Sequence, residues 1–368
     1  MKTTLKFFGL LVIAAIFAAC SDDDGTPTPA PVPDKYQGGF YVLNEGQGNA
    51  SINYYNSQSW DLMIYRANNG DEKLGVTGTV AVCNDNNMYI VTKEKPFMVE
   101  VGLSDFKKKS ELGAEAISGQ ARSFVLLDSS RGVLTTTTGA YVVSLDPLTL
   151  GAPIVESRNL RGDVAVGGGY IFLLTNANED NVIKVYNAST FEFVKDLGAA
   201  ITGFAEASGA LWAANGSKLV KINTSKLTSE EITLKDDLSV YFNQWAFTPT
   251  CLQASKAGDA LYFVNSVVDG STYGRDIYKY TIASDASSKV FTAPIEGDSK
   301  FSAYGCCVNV NPRTGDLYLV YKQDGWGELS LNTDIYVVDA STGQQKQKIA
   351  YTSDAETVYW FPSMLIFR

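Results

Sequence analysis

A strand, a tight polar turn and a second strand recur seven times along the chain, and this repetition constrains the fold more than any other feature. Each copy alternates large apolar with polar residues at a period of two, which is typical of half-buried antiparallel strands. The copies are SINYYNSQSWDL, FMVEVGLSDFKK, AYVVSLDPLTLG, NVIKVYNASTFE, KLVKINTSKLTS, DIYKYTIASDAS and DIYVVDASTGQQ. The pattern predicts a repeated antiparallel unit.

Short polar side chains stand at five of the seven turns. Asn and Asp side chains can hydrogen-bond to the backbone of a tight turn and so stabilise it. We therefore predict such bonds at Asn56, Asp146, Asn187, Asn223 and Asp339.

Two further strands accompany each copy. An apolar run lies just upstream of it, and equivalent positions of these runs, from Tyr41 to Tyr318, are separated by 48, 45, 37, 40, 51 and 56 residues. A third run of smaller residues precedes the second, as in GTVAVC and GDVAVG. A four-stranded unit of about 45 residues is the size of a propeller blade.

The first unit lacks its upstream strand, because GFYVLN follows a proline-rich segment directly. The missing strand is found at the other end of the chain, in FPSMLIFR. Pairing these two segments would close the ring and remove an open sheet edge. The sequence therefore predicts an all-β fold, a seven-bladed β-propeller closed by its C-terminal strand.

The unit YIFLLTNANEDNVIKVYNASTFEFVKDL resembles the YVTN or YncE-like propeller repeat. The resemblance extends over residues 36–368 and implies the same fold. It implies little about function, because one fold carries many functions.

The N-terminus has the pattern of a secretory signal. Lys2 and Lys6 precede an apolar run, 7–19, that is shorter than the roughly 20 residues needed to cross a bilayer. The segment IFAAC resembles a bacterial lipobox, which implies that residues 1–19 are removed and that Cys20 is lipidated. An ordinary cleavage site beside an incidental cysteine is the alternative.

SDDDG follows Cys20 and resembles the acidic surface-export signal of Bacteroidota lipoproteins, although a solvated acidic linker is the alternative. Alternating prolines in the next segment favour extended polyproline geometry. We expect residues 20–35 to form a lipidated tether and residues 36–368 to form the propeller. The expected location is the outer membrane, with the lipid anchor in the outer leaflet facing the exterior.

The chain contains no histidine, and this restricts its chemistry. Ser-His-Asp and Cys-His catalysis and all histidine metal sites are excluded. Removing residues 1–19 takes away two lysines and no acidic residue, which changes the formal charge from −10 to −12. A polyanion is a poor partner for nucleic acid.

From the residue types present we expect a protein that is not an enzyme and has neither a metal site nor a cofactor.

Four more cysteines, Cys83, Cys251, Cys306 and Cys307, lie in apolar runs. They are predicted to be small buried residues, and a disulfide from Cys251 to Cys306 or Cys307 is the alternative.

The oxygen-rich segment NANEDN lacks the glycine and the final glutamate of an EF-hand loop, so a polar hairpin loop is favoured over a calcium site.

One face of a propeller carries the links from second to third strands and the links between blades, and this is where a ligand is expected. Aromatic rings on these links could grip a flat ligand, cations could bind phosphate or carboxamide oxygens, and amides could add hydrogen bonds. The candidates are Asn44, Glu45, Gln120, Arg122, Arg161, Trp245, Tyr273, Arg275, Lys300, Tyr304, Trp326, Tyr359 and Trp360.

The chain combines a lipobox, an acidic signal, a proline tether and a propeller, and in this it resembles the BtuG-like surface lipoproteins of gut Bacteroidota. The most similar segments are GGFYVLNEG and YWFPSM. The resemblance implies binding of vitamin B12 or a related corrinoid as a ligand, and transfer to a TonB-dependent outer-membrane transporter. The corrinoid would be cargo rather than a cofactor.

Two alternatives stay open. The propeller could be a docking scaffold for other proteins at the outer membrane. It could instead bind glycans or cleave them, and cleavage would require two carboxylates about 5 to 9 Å apart. Candidates for such a pair are Glu45, Asp180, Asp276, Asp324 and Glu328.

Overall fold

The structure is a computed structural model, and its compact unit is Asp34–Arg368. It describes residues 35–46, 48–113, 117–155, 160–175, 181–243, 246, 252–266, 274–295, 300–325, 327–352 and 361–368. The predicted signal peptide, Cys20 and the predicted tether up to residue 34 lie outside these ranges. Among the described residues, no helix is both long enough and apolar enough to span a membrane.

Seven four-stranded antiparallel sheets make up the fold, as predicted. We number them as blades in chain order and give their strands as follows. Blade 1 contains β1 (Phe40–Asn44), β2 (Ser51–Tyr55), β3 (Trp60–Asp61) and β28 (Pro362–Ile366). Blade 2 contains β4 (Gly78–Cys83), β5 (Asn87–Thr92), β6 (Met98–Gly102) and β7 (Lys108–Leu112). Blade 3 contains β8 (Ala121–Leu126), β9 (Arg131–Thr136), β10 (Ala140–Leu145) and β11 (Leu148–Val155).

The other four blades repeat this arrangement. Blade 4 contains β12 (Leu160–Gly167), β13 (Tyr170–Thr175), β14 (Val182–Asn187) and β15 (Phe193–Ala199). Blade 5 contains β16 (Thr202–Ala207), β17 (Ala210–Asn215), β18 (Lys218–Asn223) and β19 (Thr228–Thr233). Blade 6 contains β20 (Leu252–Ala254), β21 (Ala260–Val264), β22 (Asp276–Thr281) and β23 (Ala286–Thr292). Blade 7 contains β24 (Phe301–Val310), β25 (Leu317–Gln323), β26 (Asn332–Val338) and β27 (Gln345–Thr352).

Helical structure in the described part is limited to short segments. The α-helix α1 (Ile64–Asn68) lies in the link between blades 1 and 2, and 3-10 helices span Ile282–Ser284 and Gly327–Leu331.

The C-terminal strand closes the ring, which confirms the prediction from FPSMLIFR. Strand β28 pairs antiparallel with β1, with Tyr41 opposite Ile366 and Leu43 opposite Met364. Each innermost strand contacts the innermost strand of the next blade, and β24 of blade 7 contacts β28 of blade 1. The first and last segments of the described chain therefore share one sheet.

Apolar side chains pack between neighbouring blades. One cluster joins blades 6, 7 and 1 and includes Phe40, Leu317 and Leu365, which are 4%, 0% and 3% exposed.

Backbones also approach closely where the ring closes. A Cβ at Gly305 would lie 2.8 Å from the carbonyl oxygen of Ser363, and Gly305 has a φ of +59°. Glycine therefore fits the bulge of β24 where it meets β28.

Four of the five predicted turn bonds are confirmed, at Asn56, Asn187, Asn223 and Asp339. Each side-chain Oδ1 accepts from the backbone N–H groups two and three residues further on. The prediction at Asp146 is wrong. Pro147 follows it directly, and the N–H of Leu148 donates to the Ser110 hydroxyl at 3.3 Å instead.

The described cysteines, Cys83, Cys306 and Cys307, form no disulfide with one another. Cys306 and Cys307 are buried, as predicted, and Cys83 is partly exposed. Burial raises the pKa of the Cys83 thiol to about 12, although the charge of Arg368 opposes this rise. Cys251 lies outside the described residues, so the alternative disulfide stays a prediction.

Candidate functional site

The links between strands divide the propeller into two faces. We call upper the face with the links from second to third strands and the links between blades, and lower the opposite face. Every stretch of residues 35–368 that the structure does not describe falls in an upper-face link. These stretches include the predicted ligand-binding residues Trp245, Tyr273, Trp326, Tyr359 and Trp360, and the side chain of Arg161 is likewise outside the description.

Three side chains meet on the upper face where blade 7 joins blade 1. The Tyr304 hydroxyl donates to Glu45 Oε1 at 3.0 Å, and the Glu45 N–H donates to the carbonyl oxygen of Phe361 at 3.0 Å. The rings of Tyr304 and Phe361 stack with centroids 5.2 Å apart. We call Glu45, Tyr304, Phe361 and the neighbouring Lys322 the seam cluster.

The seam cluster brings together distant parts of the sequence because of ring closure. Glu45 follows β1, Tyr304 lies on β24, and Phe361 immediately precedes β28. Glu45 and Tyr304 are therefore 259 residues apart in the chain. Both were predicted as ligand-binding residues, and the structure places them in contact.

Burial controls the ionisation of Glu45. It raises the pKa of the carboxyl group from 4.5 to about 7, while the hydrogen bond from Tyr304 and the charge of Lys93 oppose the rise. A carboxyl group with such a pKa is partly protonated near neutral pH. It can then donate a hydrogen bond as well as accept one.

Lys322 adds a buried cation to the seam cluster, and the sequence analysis did not identify it. The side chain lies on β25, its residue is 5% exposed, and its Nζ is 5.0 Å from the centroid of the Phe361 ring. Burial lowers the pKa of Lys322, and the nearby charge of Asp324 partly offsets this effect. A lysine at the end of the apolar run LYLVY was the available signal.

Arg275 and Lys300 lie on adjoining upper-face segments. The N–H of Ala303 donates to the carbonyl oxygen of Gly274 at 3.0 Å, which ties the Arg275 segment to blade 7. The N–H of Asp324 donates to the carbonyl oxygen of Lys300 at 2.8 Å. Lys300 is exposed, and Arg275 is partly buried.

Gln120 and Arg122 lie at the start of blade 3. The N–H of Gln120 donates to Thr137 Oγ1 at 3.0 Å. The Arg122 side chain lies against the neighbouring strand, since a Cβ at Gly162 would be 2.3 Å from Arg122 Cβ. Both residues are partly exposed on the upper face.

Asn44 is buried, and its side chain has a structural role. It is 0% exposed, its Nδ2 donates to Ser51 Oγ at 3.2 Å, and its Oδ1 accepts from the Tyr351 hydroxyl at 2.9 Å. This side chain stabilises the junction of blades 1 and 7 and presents no surface to a ligand. We therefore leave Asn44 out of the proposed site.

The carboxylates considered for glycan cleavage have separate surroundings. Asp276 accepts from the Thr292 hydroxyl at 2.5 Å, Asp324 accepts from the Ser302 hydroxyl, and Glu328 is exposed. Asp180, like the rest of NANEDN, lies outside the described residues. Within the described part, no group of three or more His, Cys, Asp or Glu side chains is arranged to hold a metal ion.

The lower face has a polar cavity of about 440 Å³ between blades 2 and 3. Its side chains bond to one another. Lys109 Nζ donates to Asn87 Oδ1 at 2.6 Å, and the Ser110 hydroxyl donates to Glu100 Oε2 at 2.6 Å. We use this face below as a reference surface.

The closed ring of seven four-stranded sheets defines the protein as a seven-bladed β-propeller. The chain belongs to the family described as a domain of unknown function, DUF5074, which matches residues 38–368. No curated protein matches this chain.

Solved structures share the fold at low sequence identity. A "Quinonprotein alcohol dehydrogenase-like protein" from Bacteroides thetaiotaomicron is 18% identical with a TM-score of 0.69, over 90% of this chain and 78% of that one. AztD from Citrobacter koseri is 12% identical with a TM-score of 0.52, over 89% and 84%. The extracellular domain of a putative one-component system from B. thetaiotaomicron is 11% identical with a TM-score of 0.51, over 77% and 34%.

Proposed function

We propose that this protein is a cell-surface lipoprotein that binds a corrinoid on its upper face and passes it to a TonB-dependent outer-membrane transporter. The seam cluster is the observation that carries the proposal. It combines a stacked aromatic pair, a carboxyl group with a pKa of about 7 and a buried lysine on the expected binding face.

These groups match the chemistry of a corrinoid. Its macrocycle is large and carries carboxamide groups, which both donate and accept hydrogen bonds. Tyr304 and Phe361 are 9% and 7% exposed, so the small exposed part of this aromatic pair would contact the ligand. Because the chain contains no histidine, the protein cannot ligate cobalt through an imidazole, and binding would depend on the shape and polarity of the upper face.

The proposed role is binding rather than catalysis. The proposed location comes from the N-terminal segment, in which the resemblance to a lipobox and to an acidic export signal supports a lipid anchor at Cys20. Mass spectrometry of the mature protein tests the anchor. We expect an acylated Cys20 at the new N-terminus, and an unmodified Cys20 would contradict it.

Calorimetric titration of residues 34–368 with cyanocobalamin tests the binding proposal. We expect saturable heat with one site, and Tyr304→Ala should weaken binding at least about tenfold, as loss of an aromatic contact in a binding site does. Phe193→Ala is the matched control, because Phe193 is an aromatic residue 55% exposed on the outer strand of blade 4. Absence of heat at high micromolar ligand would refute corrinoid binding.

The transfer step needs a separate experiment. The lipidated protein, with cyanocobalamin present, is used to recover partners from detergent-solubilised outer membranes. We expect a TonB-dependent transporter among the specific partners. Recovery of no such transporter would contradict transfer without affecting the binding proposal.

A further inference from the structure

The backbone at Arg275 is held in one position by three hydrogen bonds. The Tyr321 hydroxyl and the N–H of Ala293 both donate to the carbonyl oxygen of Arg275 at 3.0 Å. The preceding carbonyl oxygen, of Gly274, accepts from the N–H of Ala303 at 3.0 Å. The backbone of Arg275 is therefore fixed between blades 6 and 7 on the upper face.

Gly274 contributes to this rigidity because it leaves no room for a side chain. A Cβ at this position would lie 2.4 Å from the carbonyl oxygen of Asn265 and 2.4 Å from Val264 Cγ1. The backbone can pass this close to blade 6 only with glycine there. The segment therefore presents Arg275 in a defined direction.

The Nε of the Arg275 guanidinium lacks an acceptor. This nitrogen is buried, and no hydrogen-bond partner for it exists in the part of the chain that the structure describes. Neighbouring carboxylates are engaged elsewhere, because Asp276 accepts from Thr292 and Asp324 accepts from Ser302. A buried donor left without an acceptor is unfavourable, so an incoming acceptor would be bound favourably.

Two other arginines provide a comparison. Arg131 donates through Nε and Nη2 to Asp128 at 2.9 and 2.7 Å. Arg66 also has a buried Nε without a partner, but its Nη2 is 3.3 Å from Asp71. Among the described ion pairs, none includes Arg275.

Two lysines accompany the neighbouring carboxylates of Asp276 and Asp324. Lys300 lies exposed on the adjoining segment, and Lys322 is buried on the neighbouring blade. The carboxyl group of Glu45, with its pKa of about 7, carries only part of its negative charge at neutral pH. A guanidinium binds oxyanions through charge-assisted hydrogen bonds of good geometry.

We infer that Arg275 is the anion-recognising residue of the upper face, and that its Nε–H donates to an oxygen of a phosphate-type oxyanion carried by the ligand. This inference rests on the proposed function, since it names one chemical group of the ligand bound at the same face. In a cobalamin the oxyanion is the phosphodiester of the nucleotide loop.

NMR of the arginine Nε–Hε groups tests the inference without a corrinoid. Residues 34–368 labelled with 15N at arginine are titrated with inorganic phosphate, and Arg275→Lys assigns the signal by its loss. We expect a saturable shift at Arg275 in the millimolar range, no shift at Arg131, and no shift with chloride at equal ionic strength. No saturable shift at Arg275, or equal shifts at both arginines, would overturn the inference.

Binding of two corrinoids gives an independent test. Dicyanocobinamide lacks the nucleotide loop and its phosphate, so the wild type should bind cyanocobalamin at least about tenfold more tightly, as expected for one charge-assisted hydrogen bond. Arg275→Gln should bring the two affinities together, whereas the lower-face control Arg131→Gln should preserve the difference. Circular dichroism and thermal unfolding establish that both variants are folded.

The outcomes separate the two proposals. Equal affinities of the wild type for both corrinoids would overturn the role of Arg275 while corrinoid binding stands. Failure of both corrinoids to bind would refute the proposed function, and the phosphate titration then decides the role of Arg275 by itself.

Discussion

Asp128 on the lower face and Glu45 on the upper face are both carboxyl groups beside a strand end, and their environments differ in a consistent way. The Arg131 side chain and the N–H of Ser130 donate to Asp128, and these bonds lower its pKa to about 2. Burial raises the pKa of Glu45 to about 7, although Tyr304 donates to it. The lower face therefore stabilises its charge, and the upper face leaves its carboxyl group poorly solvated.

The same contrast extends to other residues. Lower-face turns satisfy their own polar groups, as at Asn187 and Asp339, whose oxygens accept two backbone N–H groups each. The upper face holds a buried Lys322 and an Arg275 Nε with no acceptor among the described residues. A buried donor without a partner, such as this Nε, and a perturbed pKa, such as that of Lys322, are common at sites that bind ligands.

Strand β28 closes the ring between blades 7 and 1, and weakening this closure should give the largest effect. Leu365 on β28 is 3% exposed in the cluster that joins blades 6, 7 and 1. We expect Leu365→Ala to lower the free energy of unfolding by about 2 to 5 kcal/mol, because it leaves a cavity. Urea denaturation of the wild type and the variant measures this difference in the free energy of unfolding.

Leu329→Ala is the matched control for the closure, because Leu329 is 44% exposed on the upper face. Its effect should stay within about 0.5 kcal/mol, as for other exposed positions. Equal effects of the two substitutions would show that β28 contributes little to closing the ring.

The pH dependence of stability should distinguish the two carboxyl groups. Because folding raises the pKa of Glu45 from 4.5 to about 7, the folded protein binds this proton more tightly than the unfolded chain. Its contribution is therefore most favourable below pH 4.5, declines as the pH rises to about 7, and is constant above. Glu45→Gln should remove a decline on the order of 1 to 3 kcal/mol.

Asp128→Asn tests the opposite pH dependence of stability. Folding lowers the pKa of Asp128 from 3.8 to about 2, so its stabilising contribution is present above pH 3.8 and is lost as the pH falls towards 2. Unfolding curves of the three proteins from pH 2 to 8 measure both windows. A wild type and a Glu45→Gln variant with the same slope between pH 4.5 and 7 would contradict the account of Glu45.

The smallest expected effect concerns the turns of the lower face. Asn187→Ala removes an acceptor for the N–H groups of Ser189 and Thr190, and we expect a loss of about 0.5 to 1.5 kcal/mol. Asp146→Ala is the control, because the N–H of Leu148 bonds to Ser110 at that turn. Thermal unfolding compares them, and an equal loss at both turns would show that the bonds at Asn187 have no special role.

Much of the fold follows from local sequence pattern. Period-two alternation assigns strands, and repetition assigns blades, so the closure by FPSMLIFR could be predicted without coordinates. Local pattern also predicts four turn bonds, and it failed at Asp146 because a tertiary contact with Ser110 supplies the partner.

The site was less predictable, since its contacts join residues far apart in the chain. Loop position identified Glu45 and Tyr304 but could not pair them across 259 residues. Lys322 was missed because its burial depends on packing against Phe361, on another blade. Asn44 was included because it opens the predicted link NEGQGNAS, whereas its partner Tyr351 lies on a different blade.

Hydrogen–deuterium exchange with and without cyanocobalamin tests most directly whether the upper face binds the ligand. The account predicts slower exchange, with ligand present, in upper-face backbone at 44–46, 300–304 and 322–325. Exchange at the lower-face turns 187–193 and 223–228 should be unchanged. Protection confined to the lower face, or no protection at saturating cyanocobalamin, would contradict the account.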